Sequence, residues 1–228
     1  MKKLFVLIAA ACMTCTAAFA QTVKPFKEGE RAVFLGNSIT DGGHYHSYIW
    51  LYYMTRFPDM PIRVFNGGIG GDTAYDMNKR LDGDIFAMKP SVLMVTFGMN
   101  DSGYFEYNGD KPKEFGEQKY QESIKNYLQM EKRFKDLPDT RIVMVGTSPY
   151  DETVQLKENT PFKAKNETIK RLVEYQKESA VKNNWEFTDL NAPMTAINQQ
   201  YQQKDPTFTL CGSDRIHPDN DGHMVMAY

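Results

Sequence analysis

Residues 92–101 read Val92-Leu93-Met94-Val95-Thr96-Phe97-Gly98-Met99-Asn100-Asp101. The first six are apolar or β-branched, with no polar face. A strand made from them must be covered on both sides, as in a parallel sheet between helices. The glycine and the Asn-Asp pair that follow read as a turn. The runs AVFL (32–35), IRVF (62–65), IVMV (142–145) and WEFT (185–188) complete a set of five expected strands.

Helical periodicity lies between these runs. Ala74, Met77, Leu81, Ile85 and Met88 recur at three or four residues behind Asp72-Thr73, a suitable N-cap. Tyr120, Ile124, Tyr127, Leu128 and Phe134 repeat the pattern. So do Phe162, Ile169, Leu172, Val173 and Val181, with Thr160-Pro161 as the expected opening. Strand and helix in alternation make an α/β domain with right-handed crossovers. Residues 102–116 are rich in Gly, Asp and Lys and read as a surface excursion. No repeat, low-complexity segment or linker divides the chain, so one domain is expected.

The 228 residues suit one domain of ordinary size. With 13% aromatic residues, disorder is excluded as the dominant state. The formal charge of −2 supplies no field for nucleic acid. The N-terminus has the layout of a secretory signal peptide: Lys2-Lys3, the apolar run LFVLIAAA (4–11), then Ala18-Phe19-Ala20 as a cleavage site. Residues 1–20 are therefore expected to be an export signal and 21–228 the mature, exported domain. The apolar run is too short for a comfortable membrane span. A lipoprotein would use Cys12 or Cys15, but the residues before Cys12 lack the usual leucine. Cleavage removes Lys2 and Lys3 and no acid, leaving 25 basic against 29 acidic residues and a charge of −4. Of three cysteines only Cys211 remains, so no internal disulfide is expected and Cys211 reads as a packed small residue.

Ligands of open parallel sheets sit beyond the carboxyl ends of the strands. There this chain is polar and glycine-rich: GNSITD (36–41), NGGIGGDT (66–73), GMND (98–101) and GTSP (146–149), with DRIHP (214–218) near the end. Ser38 follows a buried strand and a glycine, where a turn into a helix can expose a hydroxyl and aim the helix dipole at it. The same place suits an N-cap serine. Ser148 is the rival, but Pro149 marks it as turn chemistry. Among four histidines, His217 has Asp214 three residues before it and Pro218 after it. The carboxylate can reach one ring nitrogen and leave the other to take a proton from a hydroxyl. A surface Asp–His pair at a helix start has the same pattern. Oxyanion donors are available as the backbone N–H of Ser38, a bare N–H at Gly71 and the side-chain amide of Asn100.

GNSIT, NGGIGGDT, GMND and DRIHP, in this order, resemble the four blocks of the SGNH, or GDSL-type, serine hydrolases. The resemblance runs from Ala32 to the end. It implies a three-layer α/β/α sandwich, flavodoxin-like, with a five-stranded parallel sheet, and ester hydrolysis without a metal or other cofactor. It implies Ser38 as nucleophile, His217 as base, Asp214 as its orienter, and Ser38, Gly71 and Asn100 as the oxyanion hole. Asn37 departs from the family, many of whose members carry Asp there. The family also closes on a full helix, whereas this chain stops at MVMAY (224–228) in mid-pattern, which reads as a truncated last helix. The expected substrate is a small-molecule or glycan ester, with carbohydrate deacetylation suggested by export.

Two other readings compete. A metal-dependent phosphoesterase or deacetylase would use His44 and His46 with Asp41, Asp72 or Asp101, but residues i and i+2 diverge on a helix. A glycan-binding module would stack sugar on Tyr104, Phe105 and Tyr107, with Tyr45 and Trp50. Trp50, at helical spacing, is expected in the core. That reading leaves Ser38, Asn100, Asp214 and His217 without a purpose.

Overall fold

A computed structural model describes residues 21–228. The export signal expected at 1–20, with Cys12 and Cys15, lies outside the described residues. The elements run β1 (Gln21–Thr22), β2 (Arg31–Gly36), α1 (Ser38–Asp41), α2 (His44–Arg56), β3 (Arg63–Gly68), α3 (Ala74–Arg80), β4 (Val92–Val95), α4 (Pro112–Lys135), β5 (Arg141–Gly146), α5 (Lys165–Asn183), β6 (Glu186–Asp189), α6 (Asn191–Gln202) and α7 (Asn220–Ala227).

The five expected strands are β2 to β6, all parallel, in the order β6-β5-β4-β2-β3. The two-residue β1 extends the β6 edge. The first strand β2 lies between β3 and β4, the flavodoxin-like order, and the chain reverses direction across the sheet at β2/β4. That reversal opens the crevice in which the carboxyl ends of β2 and β4 face solvent.

Alternation along the strands feeds two cores. Ala32, Phe34, Val92, Met94, Val143 and Val145 meet Tyr45 of α2, Met194 of α6 and Met226 of α7. Val33, Leu35, Leu93, Val95, Ile142 and Met144 meet Met77 of α3 and Tyr127 and Met130 of α4. Helix α5 sends Ile169 and Val173 to the first core and Ala180 to the second. The residues of β4 are all buried, as the unbroken apolar run requires, and each such side chain contributes roughly 1.5–3 kcal/mol.

The structure corrects four expectations. The 74–88 pattern is not one α-helix. It passes from α3 into a π-helical turn at Leu81–Ile85 and a 3-10 turn at Phe86–Met88, keeping Leu81 and Ile85 fully buried. The 102–116 excursion is shorter, because α4 begins at Pro112, with Pro in its first turn. Part of the excursion is also buried, since Tyr107 donates to the Ser102 carbonyl at 2.8 Å and its Oη lies 2.9 Å from the Thr168 hydroxyl. Thr160-Pro161 does not open α5. Ala164 holds a left-handed φ of 71° at its start, and the Glu152 carboxylate accepts the N–H groups of Ala164 (2.9 Å) and Asn166 (2.6 Å). A cap delivered from another loop replaced the local one. Trp50 is not in the core but 43% exposed on α2.

Candidate active site

Ser38 stands at the carboxyl end of β2, on the β2/β4 crevice. Asn37 caps α1, its Oδ1 accepting the Ile39 N–H at 3.1 Å, and Ser38 is the first residue of the helix. The helix expected behind Ser38 is a single turn. Gly43, with φ 81°, separates it from α2, so the dipole at Ser38 is that of a few peptides only. The Asn37 side-chain NH₂ is buried with no partner among the described residues.

Ser38 Oγ lies 2.7 Å from His217 Nε2, across 179 residues of sequence. His217 Nδ1 lies 2.5 Å from Asp214 Oδ2. Nδ1–H donates to the carboxylate, which leaves the Nε2 lone pair facing the serine hydroxyl. The Asp214 hydrogen bond raises the His217 pKa above its usual value, against the opposing effect of burial. Burial alone would raise the Asp214 carboxyl. The hydrogen bonds from the His217 ring and from the backbone N–H groups of His217 and Ile216 outweigh it and hold the carboxyl below the usual range. The Asp214 and His217 side chains are 47% and 48% exposed, so the group sits on an open shelf rather than in a tunnel.

The candidate donors for a developing oxyanion come from two neighbouring loops. Gly71 adopts φ 85°, a backbone glycine supplies freely, and its N–H has no partner among the described residues. Asn100 Nδ2 donates one hydrogen to the Asp72 carbonyl at 2.9 Å, and the other is left over. The loops are tied together. The Asp72 carboxylate takes Arg80 Nε at 2.6 Å, and Arg80 also donates to the Gly67 carbonyl at 2.8 Å. Buried Asp101 accepts the first N–H of α3 from Ala74 (2.9 Å), the Ser123 hydroxyl (2.9 Å) and the Gly98 N–H (3.0 Å). Burial raises its pKa despite these bonds. Such an arrangement can move a proton off Ser38 and receive negative charge beside it.

The other candidates are placed elsewhere. Ser148 is 1% exposed, its hydroxyl unpartnered among the described residues. Cys211 is buried and its thiol, pushed up to about 12 by burial, contacts the Pro149 carbonyl at 3.2 Å. His44 is exposed and stacks on His223 with centroids 4.9 Å apart, whereas His46 is buried with Nε2 3.2 Å from the Thr40 carbonyl. Among the described residues no group of three or more His, Cys, Asp or Glu side chains converges as metal ligands would. Of the aromatic set, Tyr45 and Tyr107 are buried and Phe105 is 79% exposed. A cleft lined by Tyr150, Glu152, Asn166, Lys170 and Asn198 includes neither Ser38 nor His217.

Three residues around the site escaped the sequence reading. Arg215, inside DRIHP, is 1% exposed and donates to the carbonyls of Asp151 (3.0 Å), Val154 (2.7 Å) and Asn159 (2.6 Å). Lys165 is fully buried beneath the Asn100 loop. It falls four residues before Ile169 on the apolar stripe of α5, a place where a lysine is a visible anomaly. Glu152, the remote cap of α5, leaves no such trace.

A sequence profile of the GDSL-like lipase/acylhydrolase family matches residues 34–225. The acetylxylan esterase of Geobacillus stearothermophilus is 26% identical over 215 residues, 87% of this chain and 91% of its own. Its crystal structure superposes with a TM-score of 0.68 at 25% identity, over 88% of this chain and 92% of its own. A gut microbial diltiazem-metabolizing enzyme is 84% identical with a TM-score of 0.90 over 91% of this chain, which spans only 47% of that longer one. The family match and the acetylxylan esterase support carboxylic ester hydrolysis. With its blocks on the rim of a flavodoxin-like sheet, the chain belongs to the GDSL-like lipase/acylhydrolase family of SGNH esterases.

Proposed function

We propose that the protein is an exported serine esterase that removes acetyl groups from carbohydrate or other small-molecule alcohols. The observation that carries this reading is the 2.7 Å approach of Ser38 Oγ to His217 Nε2, backed by the 2.5 Å contact of His217 Nδ1 with Asp214. Ser38 Oγ attacks the ester carbonyl carbon as its proton passes to His217 Nε2. The tetrahedral oxyanion accepts the N–H groups of Ser38 and Gly71 and the free hydrogen of Asn100 Nδ2. Collapse expels the alcohol, which takes the proton from His217, and leaves acetyl-Ser38. Water then attacks the acetyl group, giving its proton to His217, and Ser38 recovers that proton as acetate departs.

The acetyl preference is supported by the relatives. The acetylxylan esterase is named for removing acetyl groups from a carbohydrate. Catalytic mutants of the acetylxylan esterase have been made at a serine, an aspartate and a histidine, the last two three positions apart, the Asp214-to-His217 spacing. The open shelf suits a short acyl group on a bulky alcohol. Export rests on the layout of residues 1–20. N-terminal sequencing of the protein recovered from outside the cytoplasm should begin at Gln21.

The test is hydrolysis of 4-nitrophenyl acetate, butyrate and octanoate, of acetylated xylo-oligosaccharides and of diltiazem, with and without EDTA. Acetates should be preferred, EDTA should have no effect, and Ser38→Ala should abolish turnover. Activity that survives Ser38→Ala and disappears with EDTA would overturn the reading.

A further inference from the structure

We propose that Lys165 and Tyr104 are positioning residues for the oxyanion donor: the buried Lys165 ammonium holds the 98–104 loop and the Tyr104 ring, and the Tyr104 hydroxyl sets which way the Asn100 amide faces. This rests on the serine-esterase reading, in which Asn100 must offer N–H, not C=O, to the oxyanion.

An asparagine amide has two orientations of nearly equal shape and opposite polarity. At Asn100 both neighbours choose the same one. The Asp72 carbonyl can only accept, so it takes Nδ2 at 2.9 Å. Tyr104 Oη lies 2.5 Å from Oδ1 and donates to it. Burial, followed by the nearby carboxylates of Asp214 and Asp101, raises the Tyr104 pKa, so the phenol remains a donor throughout the working pH range. With Oδ1 occupied by Tyr104, the remaining Nδ2 hydrogen is the group left for the oxyanion.

Tyr104 is itself held from below. Lys165 Nζ lies 3.9 Å from the centroid of its ring. The same ammonium donates to the Met99 carbonyl (2.7 Å), Ser102 Oγ (2.7 Å) and the Gly103 carbonyl (2.6 Å). Its three hydrogens thus all fall on the loop that carries Asn100. Lys165 is fully buried, and among the described residues no carboxylate pairs with it. Burying an ammonium without a counter-ion is costly. A methionine or leucine would fill the same space at no such cost. What the charge supplies is order in the 98–104 loop, on both sides of Asn100. Burial lowers its pKa to about 7, against the through-space attraction of Asp101 and Glu152; below that pH all three hydrogens are in place, and above it the neutral amine keeps two.

The test compares Tyr104→Phe, Lys165→Met and Asn100→Ala in the full chain, alone and combined, with 4-nitrophenyl acetate. Tyr104→Phe keeps the ring over Lys165 and deletes only the donor. It should lower kcat about tenfold, part of the 10²–10³ expected for losing Asn100 itself, with KM within about twofold. Lys165→Met should lower kcat further. In the Asn100→Ala background both effects on kcat should vanish, because there is no amide left to orient. Effects that persist in full in that background, or a Tyr104→Phe enzyme within twofold of wild type, overturn the inference. If Lys165→Met does not fold, Tyr104→Phe and its cycle decide alone. Failure of the esterase reading looks different: Ser38→Ala would then retain activity.

Discussion

Asp214 holds His217 at two places at once: Oδ2 lies 2.5 Å from the ring Nδ1, and Oδ1 accepts the His217 backbone N–H at 2.9 Å. One carboxylate fixes both the tautomer of the ring and the turn that carries it. Asp214→Asn keeps an acceptor for the backbone but turns an amide toward Nδ1, which favours the wrong tautomer. Steady-state kinetics should show kcat reduced by about 10³-fold or more.

The same contact sets the pH dependence. The Asp214 hydrogen bond raises the His217 pKa above 6.5, with burial opposing it. Catalysis needs the neutral ring, so activity should rise with pH through a midpoint above 6.5. In Asp214→Asn the residual activity should have its midpoint shifted down. Profiles of kcat/KM from pH 5 to 9 check both.

Gly212 lies under the Asp214–His217 turn with φ 68°, and an added Cβ would fall 2.2 Å from the His217 carbonyl oxygen. The obstacle is backbone, not a side chain that can swing away. Gly212→Ala should displace His217 and lower kcat at least about 100-fold, consistent with the sensitivity of catalysis to ångström-scale misplacement. A Ser38–His217 distance unchanged in a crystal structure of the variant would contradict this.

Arg215 combines a left-handed φ of 70° with a buried guanidinium that serves three carbonyls of the 151–159 loop. Its own carbonyl accepts the Asp151 N–H at 3.1 Å. Arg215→Ala loses the side-chain clamp and keeps the strained backbone. It should destabilise by at least about 3 kcal/mol, at roughly 1–3 kcal/mol for each of the three carbonyls left unpaired. Arg215→Gly loses the same clamp but relieves the strain. It should unfold at a higher urea concentration than Arg215→Ala, by about 1 kcal/mol of stability.

His223 makes folding pH-sensitive. Burial, followed by the charges of His44, His46 and His217, lowers its pKa to about 4, and the Tyr45 and His44 rings stack against it. The unfolded chain takes up a proton near pH 6.5 and the folded chain only near 4. Stability should therefore fall as pH drops between those values, by about 3 kcal/mol at 1.36 kcal/mol per unit. Urea midpoints at pH 7.5 and 4.5 should differ less in His223→Leu than in the wild type.

Much of the candidate site was legible because its residues stand next to patterns that short stretches of chain reveal. Ser38 follows the apolar run of β2, Asn100 follows that of β4, and Asp214 and His217 meet within one turn. Lys165 and Arg215 were not legible in the same way. A buried charge is recognisable only when the carbonyls that receive it are known, and those of Lys165 lie more than sixty residues away. Trp50 and the start of α5 misled for the opposite reason. Helical spacing marks a face without saying what covers it, and the α5 cap came from Glu152 across a loop.

The sequence by itself determined the alternation of strands and helices, the strands that must be covered on both faces, and the residue types and order of the four polar blocks. Those properties are local, set by side-chain period and turn chemistry. Only the tertiary structure decided that Ser38 and His217 meet at 2.7 Å, that Asn100 and Gly71 share one rim, and that Lys165 lies under their loop. These depend on placing β2 between β3 and β4, and on the closing turn passing back over β2. Many distant packing contacts acting together fix such an arrangement, and no single stretch of chain contains it.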